Sequence, residues 1–298
     1  MTDLKRNTPH PAINGAIVVG VDDSPNAAAA AAFARGLARR TGRSCHLVHV
    51  VEQGHDPVVA GLRVREAIGS IRPALGAEEI DVRVGRAAEV LVDRALQLGA
   101  QLIILGGKHH TLLSRWVAGS TAIDVVRHSP VPVLVTRGPV GAISRILVGA
   151  DASPGSFGAI RHAEEWADLW SAEVRVLHVV PLPPLLPEYA NGYDLDQLKR
   201  SGELRAQEEI WPLIGRRGTG QAVEIGSPAQ VLAEQAREWQ AELLVVARHD
   251  RNWLERAALG SVTERLLDGL PTSVLVIPAP QVERAHAAAT LGTKEMAT

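Results

Sequence analysis

The chain has 298 residues, of which 46% are hydrophobic, and this is enough for two domains that each bury an apolar core. The formal charge of −2 provides no basic surface of the kind that binds nucleic acid or an anionic membrane. The polar start lacks a signal-peptide core, no apolar run is long enough to span a membrane, and the single cysteine excludes an internal disulfide and a multi-cysteine metal site. A cytoplasmic protein without nucleic-acid or membrane partners is therefore expected.

The beginning of the chain predicts strands that alternate with helices. Residues 17–21 form a β-branched run that is typical of a strand buried on both faces. Ser24 and Pro25 then supply an N-cap and a first-turn proline for a helix that should end near Gly42. The next predicted elements are a strand at 46–51, a helix within 52–76 and a third strand at 80–84.

A second helix pattern follows Gly85, where Leu91, Ala95 and Leu98 share one face. The chain continues with an apolar run at 102–105, the turn Gly106-Gly107, a helix start at Gly119-Ser120-Thr121 and a last apolar run at 131–135. The order of elements is β-α-β-α-β-α-β-α-β, which predicts a parallel sheet with helices on both faces.

The whole pattern occurs twice. Gly119-Ser120 and Pro130 are repeated 141 positions later, and Asp22 is repeated as Asp151, 129 positions later. The difference between the two offsets predicts 12 extra residues in the second copy, around the proline-rich segment 181–187. We interpret the chain as a tandem duplication, with domains at 14–137 and 143–278 and a tail at 279–298.

Three points of the first copy should meet at the carboxyl edge of its sheet, where open α/β folds bind ligands. Asp22 follows the first strand and can accept hydrogen bonds from a ribose hydroxyl or an adenine amine. The backbone of Val50, near the end of the second strand, can meet the edge of a base. The loop 106–121 ends at a helix start, whose free N–H groups favour a phosphate. The simpler alternative makes Asp22 a turn residue before a helix.

Other site types have less support. The loop is neither a Walker P-loop nor a Rossmann glycine turn, which would follow the first strand. Lys108-His109-His110 could suggest a metal, but adjacent side chains chelate poorly without a third ligand, so no metal site is predicted. His49 and His178 lie in strands and are interpreted as structural. No Ser/His/Asp or Cys/His arrangement indicates a catalytic residue.

The motifs together resemble the universal stress proteins. They are Val-Gly-Val-Asp at 19–22, Leu-Val-His-Val-Val at 47–51, Gly85, Gly-Ser at 119–120 and Pro-Val-Pro-Val-Leu-Val at 130–135, each with a counterpart in the second copy. The resemblance implies two Rossmann-like domains of the adenine-nucleotide α-hydrolase type, each an open, five-stranded, mainly parallel α/β sheet. It also implies ATP binding, a stress-response role, and dimeric packing through the last strand, as a homodimer or an intrachain pseudo-dimer.

The ATP-binding branch of that family has G-x-x-G, nine residues, then G-S or G-T. The first copy keeps this spacing with His109 in place of the second glycine, whereas the second copy has Ala247 and Asp250 in place of both. His109 can donate to a phosphate and Asp250 would repel one, with Arg248 and Arg251 expected to offset part of the repulsion. The predicted nucleotide-binding residues are Gly20, Asp22, Val50, Gly106, Gly107, Lys108, His109, Gly119, Ser120 and Thr121. The candidate degenerate second site comprises Asp151, Val179, Gly260, Ser261 and Val262.

The main hypothesis is therefore ATP binding in the first domain, with Mg²⁺ as a candidate ion on the phosphates. Hydrolysis is expected to be slow at most, because no general base is positioned by the sequence. The alternative is a universal stress scaffold that binds no nucleotide and acts through protein contacts. An enzyme of the wider nucleotide-binding α/β group is a third and weaker hypothesis, since no catalytic motif supports it.

Overall fold

The computed structural model describes residues 15–71, 80–107, 120–182, 194–248 and 260–278. The elements of the first half are β1 (Ile17–Gly20), α1 (Pro25–Thr41), β2 (Cys45–Val51), α2 (Pro57–Ile71), β3 (Asp81–Val84), α3 (Ala87–Gln97), β4 (Leu102–Gly106), α4 (Ser120–His128) and β5 (Val133–Thr136). Those of the second half are β6 (Arg145–Ala150), α5 (Pro154–Trp170), β7 (Glu173–Val180), α6 (Leu195–Glu209), β8 (Gly220–Ile225), α7 (Pro228–Glu238), β9 (Leu243–Ala247), α8 (Ser261–Gly269) and β10 (Ser273–Ile277).

All these strands belong to one ten-stranded sheet with the order β3-β2-β1-β4-β5-β10-β9-β6-β7-β8. The strands of each half are parallel, and both halves have the same order when they are read from their outer edges. The predicted α/β class, the parallel sheet and the duplication are therefore confirmed.

The two halves are joined by their last strands. β5 and β10 pair antiparallel, with Leu134 opposite Leu275, so the predicted packing through the last strand is present within the chain as a pseudo-dimer. β5 also pairs with β4, and β10 with β9, which leaves neither strand a free edge for a second subunit. β5 starts at Val133 rather than at the predicted 131, because Pro130 and Pro132 cannot donate to the sheet.

Local signals place the first helix as the sequence predicted. The Ser24 hydroxyl accepts a hydrogen bond from the Ala27 N–H (3.2 Å), and Gly42 ends the helix with a left-handed φ of 70°. Leu91 and Ala95 of α3 are buried, as their spacing indicated. The predicted insertion lies mostly at 183–193, outside the described residues.

Each face of the sheet carries a core that runs across both halves. One face is covered by α1, α2, α5 and α6, and the other by α3, α4, α7 and α8. Phe33 of α1 stacks on Trp166 and Trp170 of α5, with ring centroids 6.4 and 6.0 Å apart. Few aromatic residues are present in the chain, and three of them lie at this junction between the halves.

The outer edge of the first half carries a charged cluster that makes stability depend on pH. Asp81 of β3 forms ion pairs with Arg83 (2.6 Å) and with Arg94 of α3 (2.8 Å). The hydrogen bond from Arg83 lowers the pKa of Asp81 against the opposing effect of partial burial, and the charge of Arg94 contributes in the same direction. A pKa lowered by folding stabilises the native state above the ordinary aspartate pKa and loses that effect as the pH falls.

Asp81→Asn is therefore expected to lower the urea midpoint of unfolding at pH 7. The difference from the parent should shrink as the pH falls from about 5 through the lowered pKa, because the parent then loses its carboxylate as well. Arg83→Gln should reproduce the loss at pH 7. A difference between Asp81→Asn and the parent that stays constant down to pH 3 would contradict this assignment.

Candidate functional site

A crevice of about 850 Å³ lies at the carboxyl edge of the first half of the sheet. Its walls come from the ends of β1, β2 and β4 and from the first turns of α1, α3 and α4. Among the predicted nucleotide-binding residues, the structure brings together on its walls Gly20, Asp22, Val50, Gly106 and Thr121. Lys108, His109 and Gly119 lie outside the described residues, as do Asp250 and Arg251 in the second half.

The turn role that was considered for Asp22 is present in the structure. Its Oδ1 accepts a hydrogen bond from the Ser24 N–H (3.0 Å), which shapes the turn that precedes α1. The residue is also half-buried on the crevice wall. A carboxylate has two oxygens and about four acceptor positions, so it can accept hydrogen bonds from several donors at once.

The end of β2 projects beyond β1. The last register pair of these strands is Gly20 with Val48, and Val50 continues past it into the crevice wall. The Val48 carbonyl accepts from the Val21 N–H (2.9 Å), and alternate residues of a strand direct their N–H and C=O groups to the same side. The N–H and C=O groups of Val50 therefore point toward the β1 side of the strand, beyond the end of β1. The edge of a base can approach them there.

Two equivalent histidines hold this geometry. His49 Nδ1 lies 2.8 Å from the Val21 carbonyl, and His178 Nδ1 lies 3.0 Å from the Ala150 carbonyl. A carbonyl only accepts, so Nδ1 must carry the proton in both rings. Each ring ties the second strand of its half to the end of the first strand, as the structural interpretation of both histidines requires.

The two glycines at the end of β4 are explained by packing within the protein. A Cβ at Gly106 would lie 2.6 Å from the Asn26 carbonyl group and 2.7 Å from the Ala27 nitrogen, so α1 can approach only a glycine here. A Cβ at Gly107 would collide with Leu270 of the second half and lie 2.9 Å from the Thr136 carbonyl. Both glycines were predicted as nucleotide-binding residues, and the contacts described here are with helix α1 and the second half.

The crevice also contains residues that the sequence analysis missed. Arg86, at the start of α3, lines the crevice, and so do Glu52 after β2 and Asp124 in α4. Asp124 pairs with Arg127 (2.9 Å), and Arg86 pairs with Glu89 (2.8 Å). A signal for Arg86 was available, because every parallel strand ends at this edge and Gly85 marks the end of the third.

The second half repeats the framework of the crevice but alters its chemistry. Asp151 Oδ1 accepts from the Ser156 hydroxyl (2.9 Å) as well as from the Ser153 N–H (3.0 Å). Ser156 occupies the position of Ala27, and Val262 occupies that of Thr121, so one carboxylate oxygen gains an internal donor and the helix start loses a hydroxyl. Of the other predicted second-site residues, Val179 is buried, Gly260 precedes α8 and Ser261 is exposed at its start.

Ala247 and Arg248, at the end of β9, are in contact with helices α5 and α4. The Cβ of Ala247 faces Gly155 in the first turn of α5, where a Cβ on Gly155 would lie only 2.8 Å away. Ala247 is therefore accommodated by a glycine on the helix. Arg248 is 6% exposed, and its guanidinium donates to backbone carbonyls at the end of α4 in the other half. These carbonyls hold the guanidinium at the junction between the two halves.

Two further observations concern metal binding and membrane spanning. Within the described ranges, no group of three or more His, Cys, Asp or Glu side chains is arranged to hold a metal ion. None of the helices in the same part of the chain is both long and apolar enough to cross a membrane.

Comparison with known proteins matches residues 14–137 and 142–278 to the universal stress protein family. A universal stress protein of Mycolicibacterium smegmatis is 27% identical over 293 residues, which cover 88% of this chain and 96% of that protein. One from Methanocaldococcus jannaschii is 30% identical over 154 residues, covering 50% of this chain and 90% of its own. The crystal structure of a universal stress protein from Archaeoglobus fulgidus has the same fold, with a TM-score of 0.62 at 18% identity, over 89% of this chain and 98% of that one. Both halves match the same family and both are built alike, so the chain belongs to the universal stress protein family.

Proposed function

We propose that this protein binds adenine nucleotide, ATP in particular, in the crevice of its first half and acts as a regulatory stress protein. The observation that carries the proposal is the crevice itself. Its volume of about 850 Å³ lies within the range of small-molecule sites, about 300–1,000 Å³. It lies at the carboxyl edge of a parallel sheet, where open α/β folds bind nucleotides. The cytoplasm, where ATP is plentiful, is the compartment that we propose for this role.

The walls offer a separate contact for each part of the ligand. The Val50 backbone would meet the base, and the Asp22 carboxylate would accept from the ribose or from the adenine amine. The first turn of α4, which carries Thr121, would direct its free N–H groups at the phosphates. Lys108, His109, Gly107, Gly119 and Ser120 belong to the same proposed phosphate site on the basis of the sequence.

A divalent ion fits the same arrangement. Mg²⁺ is usually held by nucleotide phosphates together with one or two carboxylates. Glu52 and Asp124 on the crevice wall are the candidates to assist it. Such an ion would neutralise phosphate charge in a crevice that already contains carboxylates.

The second half is proposed to bind nucleotide much more weakly. Asp151 is engaged by the Ser156 hydroxyl, Val262 replaces Thr121, and Asp250 stands at the position where the phosphate loop of the family has a glycine. Hydrolysis in the first half is proposed to be slow at most, since the sequence contains no catalytic motif.

A specific observation favours the alternative of a scaffold that acts through protein contacts. Three apolar side chains at the start of α2 are largely in solvent, with exposed fractions of 69% for Val58, 45% for Val59 and 59% for Leu62. Exposed apolar groups that cluster on one helix often mark an interaction surface. This surface does not depend on the crevice, so it would also serve a chain that binds no nucleotide.

Identification of any nucleotide that the purified protein carries would decide between the two. The protein should be denatured, the released small molecules identified by mass, and the emptied protein titrated with ATP by calorimetry. We expect an adenine nucleotide to be released and one ATP to bind per chain. Absence of both the released nucleotide and the binding heat would refute the proposal and favour the scaffold.

A further inference from the structure

Arg248 connects the second half to a helix of the first half. It follows β9 directly, and its side chain crosses the junction to the end of α4. Its Nη1 lies 2.9 Å from the Val126 carbonyl, 2.9 Å from the Arg127 carbonyl and 3.1 Å from the Ser129 carbonyl. The last carbonyls of a helix have no partner within it, and the helix dipole makes that end negative. A buried cation here completes the hydrogen bonding of α4.

The contact is present on one side of the pseudo-dimer only. Positions 107 and 248 correspond in the two halves, as do positions 129 and 270. Gly107 packs on Leu270, whereas Arg248 donates to Ser129. The same position in the pseudo-dimer therefore holds a glycine–leucine contact on one side and an arginine–serine contact on the other. The cation from the opposite half reaches α4, and an apolar side chain fills the corresponding space at the end of α8.

The opposite end of α4 lies at the proposed nucleotide site. Thr121, in its first turn, lines the crevice. The helix has nine residues and is about 13 Å long, and the carbonyls that Arg248 binds lie toward its other end. A helix this short behaves as a rigid body when one end is held. The position of the N–H groups in its first turn therefore depends on the contacts that α4 makes with Arg248 and with the core.

We infer that Arg248 is a positioning residue for the first-half site, contributed by the half whose own phosphate loop has diverged. This inference rests on the proposed function. Arg248 holds α4 in the position from which its first turn binds phosphate, and its positive charge reduces the negative potential at the far end of the helix. The second half thereby supports nucleotide binding in the first without binding nucleotide itself.

The inference separates phosphate binding from nucleoside binding. Arg248→Met removes the donors but keeps an unbranched side chain, and it should weaken ATP binding by about three- to tenfold. Adenosine, which would contact Asp22 and Val50, should lose less than about twofold in affinity. Arg248→Lys keeps a cation with three donors and should restore part of the ATP affinity.

Arg137→Met is the matched control. Arg137 also donates from its guanidinium to a carbonyl of the opposite half, that of Pro271 at 2.8 Å, but it does not reach α4. Its loss should leave the affinities for ATP and adenosine unchanged. Hydrogen exchange of the α4 amides in the ligand-free protein should be faster in Arg248→Met and unchanged in Arg137→Met, which tests the positioning of the helix without any ligand.

Each result decides the inference. Selective loss of ATP affinity together with faster exchange in α4 would support it. Equal losses for ATP and adenosine, no loss at all, or the same losses in Arg137→Met would overturn it while leaving the proposed function intact. A parent protein that binds no ATP would overturn both, and calorimetry of the parent distinguishes this case from the others.

Discussion

Asp22→Ala is expected to lower the affinity of the protein for ATP by about ten- to a hundredfold, the usual effect of losing a charge-assisted hydrogen bond. Asp151→Ala should leave the affinity unchanged. The two aspartates occupy equivalent turns, and each accepts from the N–H of the serine two residues later, at 3.0 Å in both cases. They therefore form a matched pair that shares this turn contact and differs in its surroundings.

The expected difference in affinity comes from the residue that lies beside each aspartate, where the ligand would bind. In the first half, Ala27 lines the crevice beside Asp22 and offers no side-chain donor to the carboxylate. In the second half, Ser156 takes the equivalent position and its hydroxyl donates to Asp151 at 2.9 Å. A ribose hydroxyl would have to compete with that internal donor, and Asp250 adds like-charge repulsion toward phosphates if it faces them.

Calorimetric titration of the parent and both variants measures this directly. Asp22→Asn is the control for the turn, because its amide oxygen can still accept from Ser24 while the charge is gone. Far-UV circular dichroism should be nearly identical in all four proteins. Two equal sites per chain, or an Asp151→Ala variant that loses as much affinity as Asp22→Ala, would show that the second half binds nucleotide after all.

Gly106→Ala is expected to destabilise the protein by about 1–3 kcal/mol, the range found for overpacked cores. The added methyl group would meet the backbone of Asn26 and Ala27 at 2.6–2.7 Å, and a helix backbone cannot move aside as a flexible side chain can. Gly36→Ala, in the helix α1 that Gly106 packs against, is the control. Nothing lies within 4 Å of a Cβ at Gly36, so this exposed substitution should be neutral or stabilising.

The second half suggests a compensating change. It has Ala247 in place of Gly106 and Gly155 in place of Asn26, so the glycine has moved from the strand to the helix. Asn26→Gly alone should destabilise by removing the hydrogen bond from the Asn26 amide to the Gly107 carbonyl (2.6 Å). Combined with Gly106→Ala, it should recover part of the lost stability, with a coupling of about 1 kcal/mol. Urea unfolding of the four proteins gives the coupling, and strictly additive losses would disprove the compensation.

The architecture of each half could be predicted from the sequence alone. Periodicity, caps and turn residues are local signals, and they placed α1 between Ser24 and Gly42 and the buried stripe of α3 correctly. The duplication was visible as two constant offsets. Because parallel strands end at one edge, the order of elements was also enough to predict that Asp22 and Val50 would lie on one crevice.

Contacts between segments that are far apart in the sequence could be identified only from the tertiary structure. A buried pattern shows that a face is covered but does not identify the covering element, so the choice between intrachain and intersubunit pairing of β5 was open until β10 was found beside it. Gly106 and Gly107 read as ligand-contacting glycines, yet they pack on α1 and on Leu270. Arg248 lies next to Ala247 at the start of a loop, and its guanidinium binds a helix more than a hundred residues earlier in the sequence. Such contacts depend on how the two halves of the chain pack against each other. A local pattern in the sequence does not contain that information.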